Sequence, residues 1–387
     1  MQNRWIILAV LFLARTTMAF QYQSVAALSP FMVESYAMTL ADIGILIGLY
    51  LGPGVLVAIP GGAIAARFGD RRVVLVSLAM MLVGAVLSVW SATWELAVLG
   101  RVLGGIGGVV VNIVMTKMLI DWFQGREIGT AMGVFIASWP AGIALALIVL
   151  PTITAFNQSL VLGWGGVIFM VALSLVLFAA IYRTPEGLQE TPQTGLKGAI
   201  PYGPLVLAGA IWALYNSALA MVFAFGPLLA AESGLDPVTS SWTVSLFIIA
   251  VGVAVPLGGI LSDVTGRRDT IIGLSLLSGI VSLPLILAIP PSAWPVAFLA
   301  SGLLFGVSAG LIMTLPSDVL PLETRAFGMG VFFAIYYAVM MVAPAVAGGY
   351  AESQNDTGVA FLLGAVMMAM SFAALIWLRR TLRAKPA

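Results

Sequence analysis

Apolar runs of about 20 residues or more follow one another along nearly the whole chain, and this succession constrains the fold more than any other feature. A helix needs about 20 residues to cross a hydrocarbon layer ~30 Å thick, because each residue advances it by ~1.5 Å. Lipid offers no water to satisfy a stray amide, so runs of this length imply helices that close their own hydrogen bonds. Polar, proline and glycine breaks separate twelve spans. In the first half they are roughly 4–30, 41–66, 73–91, 94–120, 127–151 and 160–182. In the second they are roughly 202–229, 239–262, 270–289, 294–316, 325–350 and 358–378. The first run is broken by Arg15 and then by Gln21, Tyr22 and Gln23, and no small-residue cleavage site follows, so it reads as a span rather than a leader peptide.

With 61% hydrophobic and 9% charged residues, too little polar surface exists for a water-soluble globule. Cysteine and histidine are both absent. That excludes disulfides, thiolate nucleophiles and imidazole metal sites, and it removes the commonest catalytic base. Neither an enzyme nor a cofactor or metal is expected, and nothing points to nucleic acid. The loops on one side, with the two ends, carry basic residues such as Arg4, Arg67, Arg71, Arg126, Arg267 and Arg380. Those on the other side carry only acids: Glu34, Asp42, Glu95, Glu232, Asp236, Glu352 and Asp356. The positive-inside bias then puts both termini in the cytoplasm and the chain in the inner (plasma) membrane.

A repeat organises these spans. Gly62–Arg72 (GAIAARFGDRR) returns 197 residues later as Gly259–Arg268 (GILSDVTGRR). At the same offset Pro30 matches Pro227, Asp121 matches Asp318, and Met132–Phe135 matches Met329–Phe332. Six spans per copy preserve the topology, so the copies are parallel repeats about an axis along the membrane normal. The expected fold class is an all-α membrane protein with twelve transmembrane helices in two pseudo-symmetric six-helix bundles. Its halves are 1–182 and 201–387, joined by a polar cytoplasmic linker at 183–200. Glycines spaced by four, Gly44/Gly48/Gly52 and Gly302/Gly306/Gly310, mark seams for close helix packing.

The paired loops resemble those of the major facilitator superfamily of secondary transporters. The family's loop has a glycine, an Asp-Arg pair four residues on, a second glycine and a closing arginine pair. Gly62, Arg67, Gly69, Arg71 and Arg72 match, but Ala66 takes the acid's place; the second copy keeps Asp263 and has Val264 in place of the first arginine. Arg101, Gly105 and Gly107 match a further family pattern in span 4. The resemblance implies two halves rocking in alternating access, with a conformational latch drawn from Arg67, Asp70, Arg71, Asp263, Arg267 and Arg101. It would set Asp263 near Arg126, and Arg67 and Arg71 near Asp318 or Glu323. Topology determination alone is a compatible account of the same basic loops. At branch level the pattern is closest to the cyanate and nitroimidazole transporters.

Arg15 is the most informative single residue. It lies 11 residues after Arg4, hence ~16 Å deep and near the midplane. An arginine there costs ~2.5–3.5 kcal/mol even on lenient insertion scales, so it should face a wet cavity or a partner. Its planar fork suits a carboxylate or oxyanion; backbone carbonyls or amide side chains are the plainer alternative. The other candidate substrate-binding residues are Gln21, Tyr22, Tyr50, Asn112, Trp139, Trp212, Tyr215, Asn216, Tyr336 and Tyr337, any of which could equally be packing. Lys117 should pair locally with Asp121, four residues on. Thr39 and Asp42 stand at capping-box spacing before span 2.

The expected function is a secondary active or facilitative transporter of a small inorganic or organic anion, acting as a monomer in the bilayer. With no acid or histidine at mid-depth, exchange is favoured over proton coupling. The alternative is a proton-coupled exporter of neutral or drug-like compounds. An acid in span 1 and a fuller glycine–proline pattern in span 5 would have favoured it, but only Arg15, Pro140 and Gly142 stand there.

Overall fold

The computed structural model describes residues 4–58, 60, 67–90, 93–123, 127–184, 200–321 and 324–383. Among the described residues twelve helices are long and apolar enough to cross a membrane. In the first half they are α1 (Arg4–Tyr36), α2 (Leu40–Val57), α3 (Asp70–Trp90), α4 (Trp94–Phe123), α5 (Ile128–Asn157) and α6 (Leu160–Ile181). In the second half they are α7 (Tyr202–Glu232), α8 (Pro237–Thr265), α9 (Arg268–Ala288), α10 (Pro291–Val319), α11 (Arg325–Gln354) and α12 (Gly358–Arg383). Gly52 and Pro53 interrupt α2 between Leu40–Leu51 and Gly54–Val57. Most of the first signature loop, including Gly62 and Ala66, lies outside the described residues, as does 185–199 of the expected linker.

Local chemistry sets many of the helix ends. Thr39 and Asp42 cap each other's amides as a capping box, at 3.0 and 3.2 Å. Asp236 accepts from the amides of Val238 and Thr239, both at 3.0 Å, and Pro237 follows at the first helical position, where a missing N–H costs nothing. Gly266 closes α8 at φ 65°, in the left-handed region. The repeat reaches the caps as well. Gln158 ends α5 at φ 48°, and 197 residues on Asn355 ends α11 at φ 50°.

The spans expected to end at 30 and 151 run on to Tyr36 and Asn157, because neither Pro30 nor Pro151 stops its helix. Pro30 lies inside α1, which continues to Tyr36, and its counterpart Pro227 lies inside α7, which continues to Glu232. Pro30 has no N–H to offer the carbonyl of Ala26. The Ser29 hydroxyl donates to that oxygen instead, at 2.8 Å, and the helix survives.

Contacts divide the chain into two compact units: Met1–Met38 with Leu49–Gln193, and Thr39–Gly48 with Thr194–Ala387. In the first unit α1 packs on α5 and α6, and α3 on α4; in the second α7 packs on α11 and α12, and α8 on α10. The glycine seams are real. A Cβ at Gly105 would run into the carbonyl of Tyr50, and one at Gly302, its repeat partner, into the carbonyl of Phe247, which is the repeat partner of Tyr50. Gly306 abuts Val251 in the same seam, whereas Gly310 has only Val255 at 3.7 Å. The start of α2 belongs with α11, where Gly44 and Gly48 meet the backbone of Pro344 and Met341.

Candidate functional site

Three helices of the first unit converge on Arg15. Its Nε donates to Asn112 Oδ1 of α4 at 2.9 Å. Its Nη1 donates to three acceptors on one turn of α5: the carbonyls of Phe135 (2.8 Å) and Ile136 (3.3 Å) and the Ser138 hydroxyl (3.4 Å). The guanidinium also lies over the Phe135 ring, 4.8 Å from its centre. Those acceptors are neutral dipoles, and the arginine stays half-exposed. These partners, an amide side chain and backbone carbonyls, are of the kind the plainer reading of Arg15 names, and Asn112 was itself a substrate-binding candidate. Phe135 and Ser138 were not singled out, although Phe135 belongs to the repeated Met132–Phe135 run.

The remaining first-half candidates fall into two groups. Trp139 is half-exposed, one turn beyond Phe135, and stacks on Tyr22 at 5.4 Å. Gln21, Tyr22 and Tyr50 are instead sealed inside the unit, at 3%, 1% and 0% exposure. Gln21 Nε2 donates to Met81 O at 2.8 Å, and Tyr50 Oη donates to Met18 O and Gln21 Oε1, each at 3.3 Å. At the centre of this network is Arg101. It is 2% exposed, donates to the carbonyls of Gln21 and Tyr22 at 2.8 Å each, and lies 4.6 Å from the Tyr50 ring centre. These groups brace α1 against α2, α3 and α4, with Arg101 engaged by the carbonyls of α1.

In the second unit the position of Arg15 is taken by Trp212, 197 residues on. Trp212 stacks on Tyr215 and Phe332 and lies tilted against Tyr336, with centroids 6.1, 6.5 and 6.1 Å apart. Phe332 is the repeat partner of Phe135, and Tyr336 that of Trp139. One geometry therefore serves twice, as a cation over an aromatic ring in the first copy and as stacked rings in the second. Tyr215 is fully buried and donates to Phe305 O at 2.9 Å, and Asn216 donates to Trp212 O at 2.8 Å on its own helix. Tyr336 and Tyr337 are buried against each other, centroids 5.0 Å apart.

The basic loops are engaged within their own units. Arg71 donates to the carbonyls of Ala179 (2.8 Å) and Tyr182 (3.1 Å) at the end of α6. Asp70 pairs with Lys117 at 2.8 Å, closer than the 3.8 Å from Lys117 to Asp121 that the sequence predicts. Arg67 is exposed, 5.4 Å from the Phe68 ring centre. In the second unit Asp318, expected near Arg67 or Arg71, is bonded by Arg268 and by Arg379 (2.8 Å), and Asp269 pairs with Arg379 at 2.6 Å. Asp263 and Arg267 are exposed. Arg126, expected beside Asp263, and Glu323, the other acid expected near Arg67 and Arg71, lie outside the described residues.

A guanidinium held by neutral dipoles can bind and orient an anion; it offers no proton-transfer chemistry near neutral pH. Such a site suits carriage rather than catalysis. The family model of the Major Facilitator Superfamily matches residues 10–229 and again 205–387. The chain belongs to the Major Facilitator Superfamily. It is an all-helical, multi-pass member of these secondary transporters, and the match does not single out a branch. It is 24% identical over 288 residues to the lysosomal dipeptide transporter MFSD1 of Danio rerio, covering 68% of this chain and 62% of that protein. The chain thus spans less than two thirds of that relative's length. It is 23% identical over 361 residues to the citrate-proton symporter of Salmonella typhi, covering 83% and 81%. Among solved structures, a bacterial homologue of the human lysosomal transporter Spinster, in an inward-facing and occupied conformation, superposes with a TM-score of 0.78 over 99% of each chain at 14% identity. That likeness speaks to fold alone.

Proposed function

We propose that the protein carries a small anion, preferably a carboxylate or similar oxyanion, across the inner membrane by exposing its site to the two sides in turn. The observation that carries this reading is Arg15, a permanent charge at mid-span depth, half-exposed and held by neutral acceptors. A guanidinium is charged at any physiological pH, and its planar fork suits a carboxylate or similar oxyanion. The relatives lend support, since a dipeptide and citrate both present a carboxylate. Asn112 and Trp139 line the same side of the first unit as partners in orientation. The basic loops favour a cytoplasmic side for both termini, and exchange or substrate-borne protons fit the lack of a mid-span acid.

The test is a thermal-shift titration of purified protein with chloride, nitrate, acetate, lactate and citrate, beside Arg15→Ala. A ligand of the folded state raises the melting temperature as its concentration passes Kd. At least one anion should stabilise the wild type and lose its effect in Arg15→Ala. Equal shifts in the two proteins would remove Arg15 from the site, and stabilisation by neutral compounds alone would favour an exporter.

A further inference from the structure

We infer that Pro140 is the positioning residue for Arg15: by withholding its amide hydrogen, it leaves open the α5 carbonyl on which the guanidinium sits. The inference rests on the reading of Arg15 as the anion anchor. In an α-helix the carbonyl of residue i accepts from the N–H of residue i+4. For Ile136 that donor would come from position 140, and proline has none; the pyrrolidine ring also crowds this same carbonyl. α5 nevertheless runs unbroken through Pro140. A vacated backbone carbonyl needs another donor. Arg15 Nη1 is that donor, at 3.3 Å, while it also holds the preceding carbonyl of Phe135 at 2.8 Å. Ser138 completes the turn, giving its hydroxyl hydrogen to Phe135 O at 2.5 Å and offering its oxygen to Arg15 at 3.4 Å. At Pro30 the vacated carbonyl is filled from inside the helix, by Ser29. At Pro140 it is filled from another helix, which is what fixes the arginine in place.

The repeat supplies an internal control. At the positions 197 residues on, Arg15, Asn112, Ser138 and Pro140 become Trp212, Ala309, Ile335 and Tyr337, while Phe135 remains phenylalanine as Phe332. Where the arginine is absent, its amide, hydroxyl and proline partners are absent too. A proline kept only to bend the helix would have no reason to leave with the arginine.

The experiment compares Pro140→Ala, which restores an N–H, with lactate placed at 140, the ester analogue of alanine, which lacks one as proline does. Pro151→Ala, on the same helix and away from Arg15, controls for general loss of a proline. Citrate and acetate are the probes, with uptake into proteoliposomes giving KM and kcat. The expected result is a KM raised ~fivefold in Pro140→Ala, the fraction of a charge-assisted contact that one acceptor supplies. Maximal flux should stay within about twofold, lactate at 140 should return KM to the wild-type value, and Pro151→Ala should leave it unchanged. Equal KM in the alanine and lactate proteins, or the same rise in Pro151→Ala, would overturn the inference. A double-mutant cycle on unfolding with Arg15→Met separates its failure from that of the transport reading. Coupling between positions 15 and 140 upholds the seat even if neither probe is carried, and strict additivity rejects it.

Discussion

Arg15 and Arg101 both lie well inside spans of the first unit, and their surroundings assign them different work. Arg101 is locked at 2% exposure by two carbonyls of α1 and the face of Tyr50. Arg15 is half-exposed, with its acceptors gathered along one side. Replacing Arg101 with alanine removes two charge-assisted hydrogen bonds to α1 and leaves a cavity in the interior, so it should cost ~2–4 kcal/mol of stability, read by reversible unfolding in detergent. Arg101→Lys should recover only part of that, because an ammonium cannot span two carbonyls as a planar fork does. That Arg15 lies inside the first span was legible from its distance beyond Arg4. The fate of Gln21, Tyr22 and Tyr50 was not: a polar side chain at mid-depth reads the same whether it lines a cavity or meets a buried partner. Only the path of Arg101 toward α1 separates the two cases.

At the scale of the element, helix existence was plain from hydropathy, and the ends that moved did so for local reasons. Pro30 reads in sequence as a stop, but a serine one residue earlier fills the acceptor it vacates. The Asp236 cap of α8 gives a prediction that lies outside the spans. Hydrogen bonds from Thr239, and then from Val238, hold its carboxyl below the usual carboxylate range. A depressed folded-state value means that the cap's charged contribution is present above an unfolded pKa of about 3.9 and is lost as pH falls through the folded value. Asp236→Ala should therefore destabilise by ~1 kcal/mol at neutral pH. Asp236→Asn, which keeps an acceptor, should cost less and lose the acid-side dependence, as measured by unfolding between pH 3 and 7.

For the whole molecule, the 197-residue repeat was legible in the loops and proved deeper than they suggest. It extends to the helix caps at Gln158 and Asn355, to the seams at Gly105 and Gly302, and to the pairs Arg15–Phe135 and Trp212–Phe332. The sequence could not say which side chains meet, since that depends on the rotation of each helix about its axis. The chain has no cysteine of its own, so introduced thiols report without background. If the basic loops face the cytoplasm, Gln354→Cys should react with an impermeant maleimide in intact cells, and Thr265→Cys should react only after permeabilisation. The reverse pattern would invert the topology.

The central claim is that Arg15 holds an anion while the protein carries it. Its most direct measurement is counterflow of labelled citrate and acetate in proteoliposomes without a pH gradient, with wild type beside Arg15→Gln. The account predicts saturable wild-type exchange and a loss of at least about a hundredfold in Arg15→Gln that still unfolds cooperatively. Wild-type flux in folded Arg15→Gln would contradict it.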